Sequence, residues 1–393
     1  MIGPRGALSM IGVALLAVVA VLALAGHGGA GARGPSARHG RAILHVAPGG
    51  HDGAACGRPA SPCASLGGAF AVAPPGAEVE LSSGVYGEQR IGGEAPKRSP
   101  RAITFRPAPG AKVRFAGTIF VFGSHIVIEH MAVQDVTIGN YDQTPGRPNP
   151  TDVRLLDLAG RNFQIDSATH VTVRGGTWGP ASACGGPYGG TNNSIREPTS
   201  VVPSAILIDS VTIRDVQSYN LVGCHIEGLA IFAGRGVTVE NSRFYGNSVY
   251  DVFVQPNSGP ISGLLFRNDW MAMPIGLNGV ENGTVIGFAG LSSNVRLIGN
   301  RFNYVISLND AGLNPVYSNF RLQGNVGVLP YAGCTLRGIT WVANLWRNGA
   351  CSSSDVSLHG RPLPYRNGSN GPSLDYRLTG ATPVRWRRLR ARL

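Results

Sequence analysis

Lysine is nearly missing from this chain: Lys97 and Lys112 are the only two among 34 basic residues. Charge of either sign is scarce, at 14% of 393 residues, against ~25% in an average domain. Hydrophobic residues nevertheless reach 43%, which excludes a disordered chain and suits a long apolar bore. No Cys-x-x-Cys pair occurs, and this argues against a zinc-thiolate module. A nucleic-acid partner is not expected either. Of the net charge of +12, nine units come from Arg5, Arg33, Arg38 and Arg41 and from Arg385, Arg387, Arg388, Arg390 and Arg392, in end segments without acids. The body therefore carries little net charge, whereas nucleic-acid binding needs a basic face on the fold itself.

What is abundant is glycine, at 56 residues, together with one short returning pattern. The blocks VTVRG (171–175), VTIRD (211–215), VTVEN (237–241), LLFRN (264–268), RLIGN (296–300), RLQGN (321–325) and TWVAN (340–344) alternate apolar and polar residues and then reach a turn. A weaker copy is IVIEH (126–130), and the starts are 45, 40, 26, 27, 32, 25 and 19 residues apart. Each such unit can bury its apolar face only against its neighbours. Short strands with no helical period between them predict a right-handed parallel β-helix, an all-β solenoid. Asn suits the tight turn, and Asn241, Asn268, Asn300, Asn325 and Asn344 share one offset, so a single vertical amide ladder is expected.

Residues 1–25 read as a signal peptide or a membrane anchor, because 7–25 are uncharged and apolar and end in Ala23-Leu24-Ala25. Residues 26–41 are a flexible Gly/Ala/Arg linker, 42–384 the solenoid, and 385–393 a basic tail read as a solvated, frayed end. Either reading of the leader delivers the protein outside the cytoplasm, secreted or held by its N-terminal segment. Six cysteines in an exported chain favour disulfides. Proximity suggests Cys56–Cys63, Cys184–Cys224 and Cys334–Cys351 among the fifteen pairings six cysteines allow.

The segment 44–88 (LHVAPGGHDGAACGRPASPCASLGGAFAVAPPGAEVELSSGVYGE) resembles the opening of bacterial β-helix proteins of the pectin-lyase-like fold. Its matching features are a strand ending in APGGHDG, a helix beginning near Ser65, and the Gly-Val-Tyr-Gly-Glu turn at 84–88. LDYRLTGATPV (374–384) resembles their closing element. The resemblance implies a helix capping the N-terminal end of the solenoid, with Ser65 as its N-cap. It implies no activity, because that fold hosts lyases, hydrolases, epimerases and non-catalytic surface proteins. The Trp-Ile-Asp-His of pectate lyases, the Asp-Asp pair of polygalacturonases and the Asp-Pro-His of mannuronan epimerases are all absent.

The candidate site is therefore read from the residues. His225 and Glu227 are two apart, so on an extended strand they share a face, and a carboxylate beside a histidine can fix a general base. The bland alternative is a structural turn. Aligning Leu229 and Ile231 with Val252 and Val254 as inward residues puts Ala230 and Phe232 outside, above Phe253 and Gln255. Asp251 is then expected on the outer surface near Glu227, where two carboxylates could bind Ca²⁺ or share a proton. Phe232 and Phe253 could stack on a sugar, with Gln255, Asp209 and Arg235 bordering the area. The Gly-rich insertion 178–200 is expected to lie over this site, pinned there if Cys184 joins Cys224. Two classes follow. One is a polysaccharide lyase or hydrolase acting on acidic glycans; the other is a non-catalytic glycan- or cell-wall-binding surface protein. A monomer is expected in both.

Overall fold

Val171 and Val173 point inward from Thr169–Arg174, while Thr172 and Arg174 point outward. Val153 and Leu155 stack beneath them, and Ile208 lies above Val173. Columns of this kind run the length of the structure, each buried aliphatic side chain contributing about 1.5–3 kcal/mol. The computed structural model describes residues 41–92, 99–183, 193–218, 227–272, 284–310, 312, 316–330, 333–369 and 371–391. From Arg41 onward they form one unit, a right-handed parallel β-helix. Its strands build three faces: a long sheet of thirteen strands and two of nine. We call the nine-stranded sheet containing Asn162–Asp166, Leu229–Ile231 and Tyr250–Val254 the floor sheet, and that containing Thr177–Trp178, Arg243–Tyr245 and Trp270–Met271 the side sheet. Thr238 pairs with Leu265 in parallel, as the repeats predict.

The expected ladder is divided between two columns. Pairing of Glu240 with Arg267, Arg267 with Ile298, Ile298 with Gln323 and Gln323 with Val342 sets the register. The next position is then Asn241, Asn268, Gly299, Gly324 and Ala343, all in left-handed backbone with φ from 49° to 67°. One residue further come Ser242, Asp269, Asn300, Asn325 and Asn344, all buried. RLIGN, RLQGN and TWVAN thus start one residue late relative to VTVEN and LLFRN. Asn241 and Asn268 belong to the outer, exposed column. Asn300, Asn325 and Asn344 form the inner ladder. Asn325 Oδ1 accepts from the Asn300 amide at 2.9 Å, and Asn344 Oδ1 from the Asn325 amide at 3.0 Å. Each Nδ2 also donates back to a strand carbonyl, of Phe266, Leu297 and Leu322 in turn. The ladder begins with Asp269, whose Oδ1 accepts from the Ser242 amide, and ends on Asp355, whose Oδ1 accepts from Asn344. VTIRD is a second displacement: it lies on the side sheet, and the long-sheet strand of that coil is Ser204–Asp209.

Helix α1 (Leu66–Val72) caps the N-terminal end, with Leu66, Ala69 and Phe70 buried. The Ser65 hydroxyl accepts from the Gly68 amide at 2.9 Å, and Asp52 holds Ser65 from behind through its amide and hydroxyl. Cys56–Cys63 and Cys334–Cys351 are formed; Cys184 and Cys224 lie outside the described residues, as does the leader. Among the described residues no helix is long and apolar enough to cross a membrane. The C-terminal end departs from expectation. Tyr365–Asn367 and Asp375–Leu378 pair as an antiparallel hairpin, and Val384–Arg390 forms a second helix, α2. The frayed tail is thus replaced by a docked helix, because Trp386 is buried with Val326, Leu345 and Leu358 and donates Nε1–H to the Ala343 carbonyl at 2.7 Å.

Candidate glycan-binding face

Each floor-sheet strand presents one outward residue on a common line. The register gives Arg90, Phe120, Thr137, Gln164, Ser194, Ala230, Phe253, Gly287 and Ser307 in succession. Aromatic rings therefore stand toward both ends, with short or neutral side chains between; Arg90, Phe120 and Gln164 reach solvent, whereas Thr137, Ser194, Ala230, Phe253 and Ser307 are buried. Near the first end Phe120 stacks on Tyr141 at 4.9 Å and lies near Phe122 at 6.2 Å. Arg90 covers the Phe120 ring at 5.0 Å and Arg147 the Phe122 ring at 4.1 Å. At the other end Tyr250 stacks on Phe253 at 4.7 Å, with Phe232 and Ala289 packed against them.

Between them the polar groups are tightly partnered. Arg196 donates to both Asp166 oxygens, at 2.7 and 2.9 Å. Arg161 Nε donates to Asp135 at 2.9 Å. Asp166 is fully buried, and its hydrogen bond, against the downward pull of burial, raises the Arg196 guanidinium above its ordinary value. Beside Phe253, the Tyr250 hydroxyl donates to Asp310 Oδ2 at 2.5 Å. Burial, that bond and the charges of Asp310 and Glu227 together push the Tyr250 phenol far above its usual range. Glu227 sits opposite Tyr250, since the Gly228 amide bonds the Tyr250 carbonyl at 3.0 Å, and is itself buried.

The sequence-derived site is only partly assembled here. Ala230 pairs with Phe253, and Phe232 and Gln255 stand partly exposed on this face, whereas Glu227 and Phe253, expected on the outside, are both buried. His225 lies outside the described residues, as do residues 184–192 of the Gly-rich insertion, while Asn193–Arg196 of that insertion form a floor-sheet strand and not a loop over the site. Asp251 is a correction: it is buried, not outward. Val249 takes a φ of 61°, Tyr250 turns onto Phe253, and Asp251 is directed to the corner, where Oδ1 accepts from Asn247 Nδ2 at 2.8 Å. Its Oδ2 is buried without a hydrogen-bond partner. Burial pushes this carboxyl well above the usual range, against the Asn247 bond, so the neutral acid fits the site. Glu227 and Asp251 are both buried, so the pair of outward carboxylates expected to bind Ca²⁺ is not formed on this surface. Among the described residues the one close group of three metal-ligating side chains is Asp52, Cys56 and Cys63, where a disulfide and a helix cap already use the atoms.

Asp209 and Arg235 are also displaced from the expected place. Both lie on the long sheet, and Asp209 pairs with Glu240, five residues beyond Arg235, or about 17 Å along the strand. Against the upward push of burial, bonds from Asn241, Ser210 and Arg174 hold the Asp209 carboxyl below its ordinary range. It is a structural acid that accepts from Asn241 of the outer column. Phe120, Tyr141, Gln164 and Arg196 were missed because they stand on different coils. The alignment of Phe120 with Gln164 follows only from the register, and Tyr141 and Arg196 lie beside it.

No family model and no curated protein matches the chain. Among solved structures it is similar to pectate lyase Pel9A, at 13% identity over 88% of this chain and 90% of that one, with a TM-score of 0.42. A rhamnogalacturonan lyase is 12% identical over 88% and 98%, with a TM-score of 0.40. The A-module of an Azotobacter vinelandii mannuronan C-5 epimerase is 12% identical over 77% and 94%, at 0.36.

Proposed function

We propose that this protein engages a polysaccharide chain along the outer face of the floor sheet and hydrolyses it near Phe253. The observation that carries this reading is the line from Phe120 through Thr137, Gln164 and Ser194 to Phe253. It spans five strand steps, about 24 Å at ~4.8 Å each, enough for several sugar rings. Aromatic faces pack against the apolar faces of sugar rings, while amide and hydroxyl side chains bond their hydroxyl groups. Glu227 and Asp310 supply the acid and base that glycosidic cleavage requires, with Tyr250 between them orienting Asp310. His225, two residues before Glu227, is assigned the role of a base whose tautomer Glu227 fixes. Asp251, interior, leaves the catalytic set. The two disulfides support an oxidising compartment outside the cytoplasm, where such polymers are found.

A second reading, a non-catalytic glycan-binding surface, is favoured by the burial of Glu227. Incubation with a panel of polysaccharides, with and without Ca²⁺, separates the two. Hydrolysis gives new reducing ends without the ultraviolet absorbance of unsaturated products. Glu227→Gln should then lower the rate by about a hundredfold or more, the scale of a lost general acid or base. Full activity in that variant refutes the assignment, unsaturated products make the protein a lyase, and binding without turnover leaves the second reading.

A further inference from the structure

We infer that the polymer taken by this face is uncharged: a neutral polysaccharide, and not the acidic glycan expected from the sequence. The inference rests on the reading of the floor sheet as the glycan face. A uronate polymer brings one carboxylate per sugar, and its recognition needs cations free to meet them. The cations bordering this face already have carboxylate partners. Arg90 lies 3.0 Å from Glu88, Arg147 2.5 Å from Asp142 and Arg196 2.7 Å from Asp166, and Arg161 is held by both oxygens of Asp135. Two of those guanidinium groups also lie over aromatic rings.

Glu227 and Asp310 then add negative charge at the Phe253 end. Among the described strands of this sheet from Asn162 onward, Arg196 is the single cation. The face is thus acidic in excess on a protein of net charge +12. Positive charge is concentrated elsewhere, as on the C-terminal helix with Arg385, Arg387 and Arg388 exposed. A polyanion drawn to this protein would be drawn away from the aromatic line. What the line offers to solvent is neutral: the Gln164 amide and the Phe120 ring, while Thr137, Ser194 and Phe253 are buried between their neighbours.

The test is retention of the full chain on immobilised galactan, mannan and hydroxyethyl cellulose, compared with polygalacturonate and alginate. Each is run at about 0.05 M and about 0.5 M salt, which collapses the Debye length from roughly 14 to 4 Å, and with and without Ca²⁺. Phe253→Ala and the more exposed Phe120→Ala are compared with the wild type after their folding is confirmed by circular dichroism. The expected result is retention on at least one neutral polymer, changing less than about twofold with salt and falling about tenfold in either variant, the scale of one lost stacking contact. Polyuronate retention that salt abolishes and neither variant alters agrees with the inference when it accompanies Phe-dependent retention on a neutral polymer, because it then reports the arginine-rich end. Polyuronate retention lost in the Phe variants, with or without Ca²⁺, overturns the inference while leaving the glycan face intact. If no polymer is retained in a Phe-dependent way, the glycan face itself is refuted, and the inference with it.

Discussion

At the scale of single residues, the inner ladder makes a sharp distinction between an amide and an acid. Asn300, Asn325 and Asn344 each accept from one coil and donate to another, which an asparagine can do and a carboxylate cannot. Replacing Asn325 by Ala strands the Asn300 amide and the Leu297 carbonyl, and should cost about 1–3 kcal/mol in a urea titration. Asp269 occupies the same column but has no N–H, and its Oδ2 is buried without a partner. Burial, with Glu240 and Asp209 nearby, pushes its carboxyl well above the usual range, against the Ser242 amide bond. A raised folded-state pKa means folding favours the neutral acid. That contribution is full below the ordinary carboxylate pKa of about 4 and is lost as pH rises toward the folded value. Asp251 acts in the same direction. Asp269→Asn should therefore raise the urea midpoint at pH 8, with the gain shrinking toward pH 4. A lower midpoint at pH 8 would show that the column does not prefer an amide there. The sequence displayed these asparagines plainly but not their column, because left-handed turns and buried ladders both select Asn.

At the scale of elements, the outer column explains where α2 can sit. Asn241 and Asn268 give way to Gly299, Gly324 and Ala343 in the coils that α2 covers. A Cβ on Gly324 would stand 3.8 Å from Arg390 Nε, and one on Gly299 3.5 Å from an Arg390 Nη. The backbone accepts Asn in this conformation, as Asn241 and Asn268 show, and a bare Cβ would make only ordinary contact with Arg390, so what the helix limits here is the bulk of a longer side chain. Gly324→Asn should leave the solenoid folded but lift α2, seen as faster trimming by trypsin at Arg385, Arg387 and Arg388. Unchanged trimming would mean that Trp386 alone anchors the helix. RWRRLRARL reads as a solvated tail because seven residues of helix carry little periodicity, and the seat for Trp386 is built by distant strands.

At the scale of the whole molecule, the fold was legible because its cause is repetition, and the alternation at Leu229–Ile231 and Val252–Val254 gave the pairing of Ala230 with Phe253 and left Phe232 and Gln255 partly exposed, while Phe253 is buried under its neighbours. Failures came where a coil changes direction. A corner carried Arg235 onto another sheet, and a left-handed residue at Val249 turned Asp251 inward. Neither event has a periodic signature. The line from Phe120 to Phe253 needed the exact length of every intervening coil, which spacing alone does not supply.

The ladder also has a direction, and so it has a place where it stops. Each rung asks its successor for an acceptor, and Asp355 answers without asking in turn, as a full stop closes a sentence. New clauses can be added before it and not after. A second copy of residues 300–324, spliced in after Gly324, would bring its own rung and its own glycine beneath α2, and would lengthen the solenoid by one strand spacing, about 4.8 Å. The lengthened protein should unfold cooperatively and keep its C-terminal helix protected; aggregation would show that the coils are less interchangeable than their rungs. Chains of this kind can thus change the length of what they grip by copying whole coils, while both ends stay as they are.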